Sequence, residues 1–296
     1  MTLPNLLDIL ISGLILGGLY ALLAVGLSLQ YGVGRVLNVS HGEFIMVGAF
    51  MTYTLFTELG INPLLAGPLV GLALLAGGYL LHRTLFQYLR NSSDNMDAFE
   101  GRSLLASFGL MFVLQNVMII VWGSTLKGYS FLQTSVSILG TRYSVNRLVA
   151  LGLAIVTSVM FYIFIRRTRL GKAIRAAAED PSTAQVLGVN IRQVLAICFG
   201  LGSLLAGLAG ALISMMFELQ PSGGLQYTII AIVVVVFGGL GSITGSVIGG
   251  FALGLITAII NSIDQSLSLI AFYLIFMLLL LFRPTGILGR QIDERP

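Results

Sequence analysis

The chain has 296 residues, of which 56% are hydrophobic and only 9% charged, with a formal net charge of +4. A soluble domain carries roughly 25% charged residues, so lipid rather than water is the solvent this composition fits. The small, localised positive balance excludes a nucleic-acid surface, and the lone Cys198 can make neither an internal disulfide nor a zinc cage.

The N-terminal MTLPNLLD has no Lys or Arg ahead of its apolar block, which argues against a cleavable secretory signal and for a retained first helix. Apolar blocks long enough to span a bilayer lie at residues 9–29, 64–81, 103–122, 148–165, 194–217, 243–260 and 267–282. Two shorter blocks, 44–56 and 227–240, follow the polar runs GRVLNVSHGE and ELQPSGGLQ. They read as tilted spans, broken helices or re-entrant pieces, which in transporters often border the substrate path. The expectation is a single all-α, polytopic membrane domain over residues 1–296, with about 8–10 transmembrane helices, some short or broken.

Orientation follows the basic residues. Arg166, Arg167, Arg169, Lys172, Arg175 and Arg192 form the densest cluster, and Arg283, Arg290 and Arg295 follow the last block. Both regions are expected in the cytoplasm, as is the loop holding Arg83, Arg90 and Arg102. Counting both short blocks as spans gives nine helices with the N-terminus outside and the C-terminus cytoplasmic.

Asn38, Ser40, His41 and Glu43 form a polar cluster between two apolar blocks. His41 and Glu43 stand two apart, a poor spacing for shared metal ligation on a helix, and His82 abuts Arg83 at a helix end, so a metal is not expected. A hydrolytic triad is disfavoured because the trio is local and lacks an oxyanion device. Asn38, Ser40 and His41 either cap and orient a broken helix or line a translocation path. Gln115 and Asn116 are further path candidates, against ordinary interhelical hydrogen bonding. Glu218 and Gln220, beside Pro221, are expected at the outer surface, where a capture protein could dock.

The stretch 171–190 is the least greasy part of the chain. Residues 172–178 are alanine-rich and helix-favouring; Asp180 stands at an N-cap position, Pro181 at the first position of a new helix, and Gly188 where a left-handed C-terminal residue is needed. Two short helices joined by a sharp bend result, either a docking knob or a solvated loop. Further on, GGLGSITGSVIGGFALG lacks the Lys-Ser/Thr of a phosphate loop. Gly241, Gly245 and Gly249 fall four apart, as expected of one face of a tightly packed helix; Gly13 with Gly17, and Gly202, Ala206 and Gly210, suggest the same.

RAAAEDPSTAQVLGVN (175–190) resembles the cytoplasmic EAA-type loop of ATP-binding-cassette importer permeases, with Ala177, Ala178 and Glu179 at its start and Gly188 in the place of its glycine. GLILGGLYALLAVGLSLQYGVGRVLNVSHGEFIMVGAF, VVFGGLGSITGSVIGG and RPTGILGR are similar, in this order, to the permeases of branched-chain amino acid importers. Pro181 is not carried over from that family, so the bend rests on the residues alone. The resemblance implies an inner-membrane subunit that couples to its ATPases through Arg175, Ala177, Ala178, Glu179, Asp180 and Gly188. It implies as partners a second related permease in a heterodimer, two ATP-binding cassette ATPase subunits and an extracytoplasmic solute-binding protein. No cofactor is expected in this chain, because it has no Walker-type loop and ATP would be bound by the ATPases. Similar permeases also serve urea, short amides and aromatic acids. The rival reading is an ATP-independent secondary transporter or channel with Glu43 or Asp264 as its ion site, although both lie at block edges.

Overall fold

A computed structural model describes residues 3–138, 141–283 and 286–288. Arg290, Arg295 and parts of the MTLPNLLD and RPTGILGR stretches lie outside these residues. In chain order the elements are α1 (Leu3–Gly34), α2 (His41–Thr57), α3 (Pro63–Leu81), a π-helical turn (His82–Phe86), α4 (Gln87–Asn91) and α5 (Met96–Trp122). A hairpin of β1 (Ser135–Ile138) and β2 (Thr141–Ser144) follows, then α6 (Val145–Arg167), α7 (Arg169–Glu179), α8 (Pro181–Val186) and α9 (Ile191–Met216). A 3₁₀ turn (Pro221–Gly223), α10 (Gly224–Gly238), α11 (Ile243–Ile263) and α12 (Gln265–Phe282) complete the fold.

Among the described residues, seven helices are long and apolar enough to cross a membrane, and the apolar part of α12, Ile270–Phe282, is shorter. The protein is thus an all-α, polytopic membrane protein, and the strands among the described residues are one four-residue pair, Ser135 opposite Ser144 through Ile138 opposite Thr141. Two boundaries differ from those read in the sequence. The span that starts at Pro63 does not end at His82; it continues through the π turn to Asn91, which puts His82 inside a helix and buries it. The block at 227–240 begins earlier, because Pro221 starts a 3₁₀ turn that lengthens the span to Pro221–Gly238.

The core forms around α9, whose apolar window is 78% buried against 17% for α5, so α9 is central and α5 peripheral. Backbones come close because glycine leaves room, the packing mode that serves where lipid gives helices no hydrophobic drive to associate. A Cβ on Gly48 of α2 would lie 2.8 Å from the Gly207 Cα of α9, and one on Gly200 would lie 2.8 Å from the Leu75 carbonyl oxygen of α3. A Cβ on Gly202 would lie 2.7 Å from the Gly26 carbonyl oxygen of α1, and one on Gly210 would lie 2.7 Å from the Ala49 nitrogen of α2; Ala206 between them is fully buried. Gly13 and Gly17 of α1 meet the backbone of α11 at Leu255 and Phe251 in the same way.

The glycine series after α10 divides. Gly245 and Gly249 lie on α11 and pack against Gly238 and Val234 of α10. Gly241 is not on that helix face: Ser242 caps α11 by accepting the Gly245 N–H at 3.0 Å, and Gly241 sits in the preceding turn with φ +78°. There its backbone touches Gly32 of α1, 2.9 Å from a Gly241 Cβ to the Gly32 Cα. A four-residue spacing read as helical therefore spans a helix start.

Candidate functional site

The elbow between α6 and α9 is built from caps. Thr168 starts α7 by accepting the Gly171 N–H at 3.0 Å. Gly171, Ile174 and Ala177 form the buried side of α7, against α1, α6 and α9. Ala177 therefore seats the elbow, whereas Arg175, Ala178, Glu179 and Asp180 are exposed. Arg175 is anchored by a 3.4 Å hydrogen bond from Nη2 to the Arg166 carbonyl.

Asp180 ends α7 and caps α8. Its carboxylate accepts the Ser182 N–H at 2.9 Å, the Ser182 hydroxyl at 2.5 Å and the Thr183 N–H at 3.2 Å, and also the Thr183 hydroxyl. These donors, the Ser182 hydroxyl first, pull the Asp180 carboxyl down to about 2. Pro181 opens α8 at a position whose N–H has no helical partner to lose. At the other end Gly188 takes φ +87°, its N–H donating to the Gln185 carbonyl at 3.0 Å while the Val189 N–H donates to Ala184 at 3.0 Å. Asn190 then caps α9 by accepting the Gln193 N–H at 3.1 Å. This fixed turn holds Val186 and Leu187 outward, 87% and 77% exposed. Two large apolar side chains thus stand exposed on a doubly capped tip.

The second constellation joins α1, α2, α9 and α10. The Asn38 side chain donates from Nδ2 to Gln30 Oε1 at 3.1 Å, and its Oδ1 accepts the Ser40 N–H at 3.1 Å and the Ser40 hydroxyl at 2.6 Å. Gln30 passes the link on, donating from Nε2 to the Phe199 carbonyl at 3.2 Å. His41 Nε2 lies 3.1 Å from the Leu23 carbonyl; a carbonyl only accepts, so this nitrogen carries the proton. The Gly42 N–H donates to Thr228 Oγ1 at 2.8 Å, and that hydroxyl donates to the Val39 carbonyl at 2.9 Å. The Val39 N–H is taken by Ser107 Oγ of α5 at 3.1 Å.

Asn38, Ser40 and His41 are fully buried and tie the break after α1 back to that helix; none of their side chains caps α2, whose Gly42 N–H is met instead by Thr228 of α10. Glu43 stands in the first turn of α2, at the block edge as expected, yet it is 1% exposed, its Oε2 has no hydrogen-bond partner among the described residues, and it abuts the Gly224 backbone. Gln30, Ser107 and Thr228, which the sequence reading passed over, complete the cluster. Gln115 and Asn116 stay apart from it on α5; Gln115 is half-buried, and Asn116 is exposed and donates to its own helix at Phe112, 2.8 Å away. Glu218 and Gln220 are exposed beyond the other end of α9, a helix of 26 residues and so roughly 39 Å from the elbow. Asp264 stands at the junction of α11 and α12. Among the described residues no group of three His, Cys, Asp or Glu is placed to hold a metal ion.

A family model described as branched-chain amino acid transport system / permease component matches residues 9–282. The high-affinity branched-chain amino acid transport system permease protein BraD of Pseudomonas aeruginosa is 33% identical over 304 residues, covering 97% of this chain and 96% of that protein. The corresponding LivH protein of Escherichia coli K12 is 31% identical, with 96% of each chain covered. The probable branched-chain amino acid transport permease protein LivH of Methanocaldococcus jannaschii is 28% identical, with 86% of this chain and 80% of that protein covered. Membrane-crossing helices, an exposed elbow and full-length similarity to transport permeases agree on a non-enzymatic, multi-pass membrane component of a larger transport system. The chain belongs to the family of branched-chain amino acid transport system permease components.

Proposed function

We propose that this chain is the permease subunit of an ATP-driven importer in the cytoplasmic membrane, moving branched-chain amino acids or a related small solute such as urea, a short amide or an aromatic acid. Its partners are a second, related permease, two ATP-binding cassette ATPases on the cytoplasmic side and an extracytoplasmic solute-binding protein. ATP is bound by the ATPases, and the C-terminus is cytoplasmic, together with the elbow. The observation that carries this reading is the α7–α8 elbow, which presents Val186 and Leu187 to water on a turn fixed by Asp180 and Gly188. A turn fixed at both ends transmits displacement instead of absorbing it. Closure of the ATPases moves the elbow, and Ile174 and Ala177, packed against the helical core, pass that movement to the spans. Nucleotide shifts the inward-open and outward-open populations only through its different affinity for the two states. Asn38, Ser40 and His41 line the solute path or orient the break between α1 and α2, and Gln115 and Asn116 on peripheral α5 are further path candidates.

Uptake into proteoliposomes tests the reading. With ATPases and binding protein present, uptake requires ATP, survives collapse of ion gradients and stops when the ATPases are left out. Solute movement by the purified chain alone, without nucleotide, would overturn it. So would labelling of a Val186→Cys variant from the exterior only, with Cys198 buried and silent.

A further inference from the structure

Beside the elbow a cleft of about 770 Å³ opens between α4 and the α8–α9 turn. Two guanidinium groups, from Arg90 and Arg192, line it together with the amides of Gln87 and Gln185, and no carboxylate does. Its floor includes His82, only 3% exposed, whose Nδ1 is buried with no hydrogen-bond partner. That nitrogen is sealed from the cleft, with the ring packed between Phe86 and Phe199, so the polar contacts open to a ligand are those of the guanidinium groups and amides. Arg90 is held in place over the Phe99 ring, 5.5 Å from its centroid. The wall that carries His82 is the π-helical turn, wider than an α-turn and of a kind that recurs at functional sites.

The surroundings point to the source of the anion. The cleft lies where the apolar span Pro63–Asn91 ends, since His82, Gln87, Arg90 and Asn91 of its last turns line it. At the end of an apolar span, a phospholipid can lay its chains along the helix and its phosphate among the cations. Basic pockets between spans on the cytoplasmic side recognise headgroups in this way. We propose that the cleft between α4 and the α8–α9 turn binds the phosphate of an anionic phospholipid of the inner leaflet, held by Arg90 and Arg192. The choice of leaflet rests on the orientation given above. Pro181, Ser182 and Gln185 of the elbow form the other wall, so lipid occupancy and elbow position are linked, and the linkage runs both ways.

The test uses the complete transporter in nanodiscs of phosphatidylcholine with or without phosphatidylglycerol, reading retained lipid by native mass spectrometry and ATP hydrolysis in parallel. Phosphatidylglycerol is retained over phosphatidylcholine, and Arg192→Gln, on an exposed side chain, lowers its retention about fivefold. Arg90→Gln does the same while Arg90→Lys keeps retention, separating lost charge from lost packing on Phe99. Equal retention in the Gln variants and the native protein overturns the proposal. Release of the lipid by inorganic phosphate overturns it in favour of a soluble anion, and retention by the permeases without ATPases but not by the complete transporter overturns it in favour of a subunit contact. Retention is read without solute or nucleotide, so failure of the transport reading leaves a distinct signature.

Discussion

Gly188 isolates what the elbow needs. Its φ of +87° lies in the left-handed region, and a Cβ added there would meet nothing within 4 Å. A side chain at this position therefore meets no steric barrier, and its whole effect is backbone strain of about 1–2 kcal/mol, less for asparagine, which tolerates the left-handed region. At equilibrium that shifts the turn roughly 5- to 30-fold toward unfixed conformations. Coupling, measured as solute taken up per ATP hydrolysed in proteoliposomes, should fall in the order Gly188, Gly188→Asn, Gly188→Ala, Gly188→Val. Gly60 supplies the control: it has φ +66° and equally open surroundings, and it lies at the far end of α3 from His82. Gly60→Val carries the same local strain and should leave coupling intact. Normal coupling in Gly188→Val, or equal uncoupling in Gly60→Val, refutes the idea that force enters through a turn fixed at this residue.

Glu179→Lys, which reverses a charge on the exposed side of the elbow, should weaken ATPase association on co-purification while leaving membrane insertion unchanged. The Asp180 carboxyl, held near 2 from an ordinary 3.8, contributes its cap fully above 3.8 and loses it as pH falls through about 2. Amide exchange at Ser182 and Thr183 should stay protected at pH 3 in the native protein, and Asp180→Ala should lose that protection even at neutral pH. Asn38→Ala removes the acceptor of Ser40 and the partner of Gln30, and should cost about 1–3 kcal/mol of stability by thermal unfolding. Unchanged stability with altered solute selection would instead place Asn38 on the path. Gly42→Ala drives a methyl into the Gly224 carbonyl oxygen and should cost about 1–3 kcal/mol or more.

The elbow could be read from the sequence because its determinants are local. Asp180 finds its donors two and three residues on, Pro181 needs only its own ring, and Gly188 closes on carbonyls within five residues. Apolar block length likewise located most spans, since lipid demands it over a continuous stretch. The polar knot was half visible: Asn38, Ser40 and His41 stood out, but Gln30 reaches Phe199 across 169 residues and Gly42 reaches Thr228 across 186. No periodicity carries pairings of that length, and the burial of Glu43 depends on Gly224 lying opposite it. The π turn at His82 leaves no local mark, because widening a helix by one residue changes neither composition nor hydropathy. Gly241 misled for the opposite reason: its spacing imitated a helix face while two left-handed glycines, Gly239 and Gly241, were turning the chain.

The glycines of α9 have a mechanical corollary. Where backbone lies against backbone there are no side-chain rotamers to exchange, and sliding by even part of a turn would drive carbonyl oxygens into neighbouring Cα atoms. Helices α1, α2, α3 and α9 are thereby locked to one another as a single block. α5, with 17% of its apolar window buried, is by contrast the span least tied to this block.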